Sequence, residues 1–280
     1  MSGYVLPANN LLAAPGDTGS GFSPAIWGNH SIQDRIRKKQ IHGAWYEPDF
    51  QAAAVLTTPT ITTQAIYGLG LKAFGSAGGT LVHSAAEGTP LVLTESDDDQ
   101  GVNIAMVCLP FKIINDTYGS FWFETRLKTN TIADTSNGLF VGLMGSQTLS
   151  ATVPIAAAGT LADNNFVGFH RLESDGDQID CVYKADSVTQ VTKEADSLHT
   201  ALVADTYTKL GMWYDARSKY FHWYQNGLLL TKHLIIDTAG TDFPNDAFMG
   251  VCIAMLCASN DDAICTVNWI KAYQSYENKY

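Results

Sequence analysis

Charge is scarce in this sequence. Asp, Glu, Lys and Arg make up 16% of the 280 residues, against roughly a quarter in typical soluble domains. The shortage of Lys, Arg and Glu argues against an ordinary helical enzyme. Thr, Ser, Ala, Gly and Asp take their place, which suits strands and turns. A low charge density also suits a surface covered by neighbouring subunits. Basic residues are the scarcer sign: 17 Lys and Arg face 28 Asp and Glu, for a formal net charge of −11. That excludes a partner such as the nucleic-acid backbone, where Lys and Arg must replace condensed counterions, and argues against an anionic membrane surface. No run of about 18 apolar residues occurs, so no membrane span is expected. The opening MSGYVLPANNLLAAPG has no basic segment followed by a continuous apolar run, so it does not read as a signal peptide.

Cysteine is present but not patterned. Cys108, Cys181, Cys252, Cys257 and Cys265 are odd in number, and none form a C-x-x-C pair. A zinc site or a disulfide framework is therefore not expected. The five read as free thiols buried in strands, as small hydrophobes are, in a protein assembled in a reducing cytoplasm. Hydrophobic residues reach 46%, enough for a sizeable core.

Residues 1–55 read as an extended N-terminal arm and residues 56–280 as one β-sandwich domain. The arm holds Pro7, Pro15, Pro24 and Pro48 and a Gly/Ser run over 16–23, a density that breaks helices and ladders. It also carries Trp27, Trp45 and Tyr46, which a solvated linker would not usually hold, so it is expected to lie on another surface, including that of another subunit. Within it, residues 31–41 suggest a short helix, with Ser31 and Asp34 as a capping-box-like start. Arg35, Arg37, Lys38 and Lys39 form either a solvated turn or an electrostatic anchor on an acidic partner.

Beyond residue 60 the period changes to two. Phe121, Phe123, Thr125 and Leu127 alternate with Trp122, Glu124, Arg126 and Lys128, the signature of a strand with one dry face. Residues 165–172 and 178–184 flank Asp175-Gly176, and residues 219–225 and 228–233 flank Asn226-Gly227; both pairs predict hairpins. Further strands are expected near 61–68, 80–84, 90–95, 102–112, 138–145, 188–194, 207–215, 247–257 and 264–274. A dozen or so strands with short turns predict an all-β, two-sheet antiparallel jelly-roll sandwich.

Two segments carry a likeness to known families. Tyr118-Gly-Ser-Phe-Trp-Phe-Glu-Thr-Arg-Leu-Lys128 resembles a strand of the concanavalin A-like lectin and glucanase folds. Tyr207-Thr-Lys-Leu-Gly-Met-Trp213 with Tyr220-Phe-His-Trp-Tyr-Gln-Asn226-Gly227 resembles the laminin-G hairpin of the same fold. Separately, the stretch from Ala162 to Asp186 resembles structural proteins of tailed bacteriophages, similar to the decoration, or cement, proteins that clamp capsid subunits. That second resemblance implies a virion protein on the capsid surface, with the major capsid protein as partner and self-association, a trimer by analogy. The arm contacts would then be Trp27, Arg35, Arg37, Lys38, Lys39, Trp45 and Tyr46. The alternative is a carbohydrate-binding module, with Trp122, Trp213, Tyr214, Tyr220, Trp223 and Tyr224 lining a sugar face or else serving as core and contacts. A divergent glycoside hydrolase ranks behind both.

Catalytic signatures are missing from the sequence. Glycoside hydrolysis needs two carboxylates about 5–9 Å apart; the nearest sequence pairs, Glu194 with Asp196 and Glu173 with Asp175, lack the E-x-D-x-x-E pattern of this fold's glucanases. No G-x-S-x-G elbow and no phosphate loop occur, so no enzyme and no cofactor are expected. The seven histidines show no metal-ligand spacing. Asp175, Asp177 and Asp180 could hold an ion through oxygen ligands, but the closing Glu of an EF-hand is missing, and solvated turn carboxylates are the simpler reading.

Overall fold

The structure is a computed structural model; it describes residues 16, 18–19, 21–28, 36, 42–48, 50, 64–66, 69–76, 78–84, 90–113, 119–133, 135–145, 148–150, 152–156, 159–172, 174, 178–194, 201–235, 242–245, 247–259 and 262–276. The alternating stretch at its centre is β7 (Phe121–Thr129), and its neighbours show what the alternation builds. One sheet runs β14 (Leu228–Leu234), β13 (Tyr220–Gln225), β12 (Thr208–Asp215), β7, β16 (Ala263–Ser275), β5 (Leu91–Glu95) and β4 (Thr80–His83). β16 is 13 residues long, so its first half takes β5 along the edge where its second half takes β1 (Gly43–Tyr46). The other sheet runs β11 (Val191–Glu194), β10 (Asp180–Lys184), β9 (Phe166–Arg171), β8 (Asn137–Met144), β15 (Gly250–Cys257), β6 (Gln100–Met106), β3 (Leu71–Gly75) and β2 (Gln64–Ile66). Every pairing is antiparallel.

The core lies between the sheets because alternate residues of each point inward. Phe121, Phe123, Leu127, Met212, Tyr214 and Trp223 come from the first sheet, and Val141, Leu143, Val167, Phe169, Ile253 and Met255 from the second. The Trp223 indole crosses this core and donates to the Gly168 carbonyl of β9 at 3.0 Å. That tie satisfies a buried N–H which the core would otherwise leave unpaired.

Four cysteines are buried, as expected; Cys108 is exposed, because it lies past the end of β6 in the link to β7. The boundary expected at residue 55 lies outside the described residues. β1 sits inside the expected arm yet pairs with β16, with Trp45 opposite Tyr273. The helix expected over 31–41 falls outside the described residues except for Ile36, which is buried beside Gly43.

Both sheets are covered on their outer faces too. Residues 16, 18–19 and 21–28 cross the outside of the first sheet and include a four-residue helix, α1 (Pro24–Trp27). Proline at its first turn lacks only an N–H that would be unpaired there anyway. The link between β8 and β9 folds over the second sheet. Leu149, Ile155 and Leu161 pack on Phe140, Phe166, Val182 and Cys252. Asn103 Nδ2 pins this link by donating to the carbonyls of Ser150 and Val153 at 3.1 and 3.3 Å.

Candidate functional site

Of the aromatic residues singled out from the sequence, Trp122, Trp213, Tyr220 and Tyr224 lie on the outer face of the first sheet, while Tyr214 and Trp223 point into the core. Register aligns Lys232, His222, Trp213, Trp122, Tyr273 and Trp45 across six strands in one row. The middle of that row is sealed by the chain's own N-terminal segment. Trp27 is 0% exposed and meets Tyr273 edge-on, with ring centroids 5.4 Å apart. Phe22 meets Trp269 at 4.8 Å.

Charged groups beneath the segment hold it down. Glu124 accepts from the Ser23 backbone N–H at 3.1 Å and from Trp27 Nε1 at 2.7 Å. Lys209 Nζ donates to the Gly21 carbonyl and Arg126 Nε to that of Thr18. The Lys271 ammonium lies 4.0 Å from the Phe22 ring centroid, a cation–π geometry. Glu47 accepts from the Tyr273 hydroxyl at 2.6 Å and stands 3.9 Å from Lys271.

At the open end of the row, Trp213 stacks on His222 with centroids 5.0 Å apart and planes 18° from parallel. This stacking covers one face of each ring. Tyr214, Trp223, Trp122 and Tyr224 are buried. These aromatics thus serve mainly as core and as the seat of the N-terminal segment.

The residues expected to contact a partner are scattered. Trp27 and Tyr46 are buried within their own chain, whereas Trp45 is 46% exposed. Arg35, Arg37, Lys38 and Lys39 lie outside the described residues. So do Asp175 and Asp177 of the expected ion loop; Asp180 stands on β10 opposite His170. No group of three or more His, Cys, Asp or Glu side chains among the described residues is placed to hold a metal. Asp196 and Glu173 are likewise outside, as is the side chain of Glu194.

The second sheet presents a cleft of ≈ 580 Å³ on its outer face. Its walls are His170 and Leu172 at the end of β9, Lys184 at the end of β10, the 187–190 turn, and Thr160, Leu161 and Asp163 from the β8–β9 link. Lys184 Nζ donates to the Ala162 carbonyl at 2.7 Å and pairs with Asp163 at 3.4 Å. The Ser187 N–H donates to Asp163 at 2.6 Å, and this bond, together with Lys184, holds the exposed Asp163 carboxyl below the usual carboxylate range. Ser187 adopts a positive φ of 62° to make that turn. His170 is 1% exposed, with Nε2 2.8 Å from the Gly159 carbonyl. Burial pushes its pKa down to about 4, so the ring is neutral near pH 7. The cleft therefore combines a self-neutralised ion pair, a neutral imidazole, an amide, two threonine hydroxyls and the apolar flanks of Leu161, Leu172 and Val188. Such a lining matches donors and acceptors to a polar, uncharged ligand. Sequence reasoning missed this site; only the likeness of the 162–186 stretch to another family drew attention to the region.

No protein-family model matches the chain, and no curated protein is found to match it. Solved structures do. A protein of unknown function from Shewanella oneidensis MR-1 superposes with a TM-score of 0.52 at 10% identity, covering 89% of this chain and 95% of its own. The potassium-bound carbohydrate recognition domain of Emp46p gives 0.51 at 10% identity, over 75% and 90%. The winged bean acidic lectin complexed with methyl-α-D-galactose gives 0.51 at 11% identity, over 85% and 100%. At these identities the likeness establishes the fold: a concanavalin A-like sandwich of two antiparallel sheets, as the sequence predicts.

Proposed function

We propose that this protein is a non-catalytic carbohydrate-binding module whose ligand occupies the cleft between the ends of β9 and β10 and the β8–β9 link. The observation that carries the reading is the lining of that cleft, in which Asp163 and Lys184 neutralise each other beside a neutral His170. Hydroxyl-rich rings supply both donors and acceptors to such a surface, while Leu161, Leu172 and Val188 can take the C–H face of a sugar. Support also comes from the fold shared with a carbohydrate recognition domain and a lectin bound to methyl-α-D-galactose. The expected sugar platform of Trp213 and its neighbours is replaced by the cleft on the opposite sheet. A glycan array followed by calorimetric titration tests the reading. Binding to a defined glycan class is expected; an array without hits, together with a melting temperature unmoved by millimolar monosaccharides, contradicts it.

The role on a bacteriophage capsid, with the major capsid protein as partner and a trimeric state, rests on the sequence resemblance alone. The carbohydrate-binding neighbours of the fold lend it no support. Adding the chain to empty capsid shells and finding no mass at subunit junctions contradicts that role.

A further inference from the structure

Among the described residues that line the carbohydrate cleft, Lys184 and Asp163 are the two that carry charge, since His170 is neutral near pH 7. They are placed unequally. The Lys184 side chain is 10% exposed and that of Asp163 is 64% exposed, so the cation is sunk in the wall and the carboxylate meets solvent. A lysine this deep is rarely found without a partner. Its ammonium donates to the Ala162 carbonyl at 2.7 Å and to Asp163 Oδ1 at 3.4 Å. The carboxylate is fixed by Ser187 as well: the N–H donates to Oδ1 at 2.6 Å and the hydroxyl to Oδ2 at 3.4 Å. The Ser187 N–H and Lys184 keep Asp163 ionised below the usual carboxylate range. Asn165 ties the same two segments, accepting from the Asp186 N–H at 2.9 Å, so the wall does not hang on the charge of Asp163.

We propose that Asp163 is the charge-selectivity determinant of the cleft: it cancels the charge of Lys184 and so confines binding to neutral sugars. This role rests on the carbohydrate-binding function proposed for the cleft. A sugar carboxylate drawn to the ammonium must come up beside the Asp163 carboxylate, and it loses to one charge what it gains from the other. A neutral sugar meets no such cost and needs only donors and acceptors. With an amide in place of the Asp163 carboxyl, the ammonium is the one charge left in the lining. It then stands in a wall that water reaches poorly, where a charge-assisted bond to a carboxylate is stronger than in open solvent.

The Asp163→Asn variant tests this. Asparagine keeps a side-chain oxygen for the Ser187 N–H and removes the charge. The probe is an array that carries neutral glycans beside uronic-acid and sialic-acid glycans. Wild type is expected to take neutral glycans only. The variant is expected to gain acidic ones, with its ratio of acidic to neutral affinity raised roughly 10-fold. A purely structural role for Asp163 weakens both classes alike and leaves the ratio where it was. An unchanged ratio, or a wild type that takes acidic glycans, overturns this proposal and leaves the carbohydrate reading intact. A wild type that binds no glycan overturns both. If the variant melts early, wild type decides by itself: acidic glycans should stay unbound even at about 0.01 M salt, where charges are little screened, and binding there overturns the proposal.

Discussion

Trp27 Nε1 donates to the Glu124 carboxylate at 2.7 Å, joining residues 97 apart in sequence. The bond fastens the N-terminal segment to the sheet that a partner would otherwise meet. It makes this segment part of the folding unit, with consequences that can be measured.

Glu124 gives the first. Burial raises its carboxyl pKa, while hydrogen bonds from Ser23 and Trp27 and the charge of Lys209 act in the opposite direction. The folded chain therefore keeps the Glu124 proton to a higher pH than the unfolded chain, whose carboxyl titrates near 4.5. Between those values the native state binds more protons, so this residue's contribution to stability is complete below about pH 4.5 and declines as pH rises through the folded pKa. Glu124→Gln keeps an acceptor for both donors and loses the titration. Denaturation of the two proteins from pH 4 to 7 should show the variant gaining on wild type as pH rises. Glu124→Ala orphans the Ser23 and Trp27 donors and should cost about 2 kcal/mol.

Two tryptophans expected to act alike should behave differently. Trp27 is 0% exposed and Trp45 is 46% exposed. Trp27→Ala removes a fully buried indole and should cost roughly 3–5 kcal/mol, seen as a lower denaturation midpoint. Trp45→Ala should stay within about 1 kcal/mol of wild type. Similar losses in both variants would contradict the placement of the segment.

The Asn226-Gly227 turn was fully legible in the sequence. Its φ values are 50° and 77°, the left-handed pair that a two-residue hairpin needs and that Asn and Gly tolerate best. The Asn226 side chain adds an acceptor for the Lys209 N–H at 2.9 Å. Asn226→Ala loses both features and should destabilise the protein by about 1–2 kcal/mol, measured by urea unfolding with an unchanged m-value.

The thiols offer a count. Burial pushes Cys265 up to about 12 and raises Cys252 as well, while Cys257 Sγ points to the Ser259 carbonyl at 2.7 Å. Cys108 alone is exposed. A thiol reagent should label one cysteine rapidly in the native protein and all five only after unfolding; two or more rapid labels would contradict the buried placement.

These contrasts show where sequence reasoning reaches its limit. Alternation in β7 identified Phe121, Phe123 and Leu127 as inward, and they are core residues. It could not show that Trp122 and Glu124 on the other face are buried too, because period two marks which face is apolar and not what later covers the polar one. β1 escaped notice because four residues, Gly43–Tyr46, are too short to display a period. The cleft had no periodic signal at all. It forms where the β8–β9 link and the 187–190 turn meet two strand ends, and the contact between Asp163 and Ser187 spans 24 residues. Its central residue, His170, reads in sequence as one outward position of a strand, and nothing in the pattern shows that the Gly159 carbonyl meets its ring.

Ligand binding in this cleft is tested most directly by amide chemical-shift mapping with the best glycan from the array. Shifts should cluster at Thr160, Leu161, Asp163, His170, Lys184 and residues 187–190, with Trp213 and His222 unmoved. Shifts centred on Trp213, His222 and Lys232 of the opposite sheet, or none at saturating glycan, would contradict it.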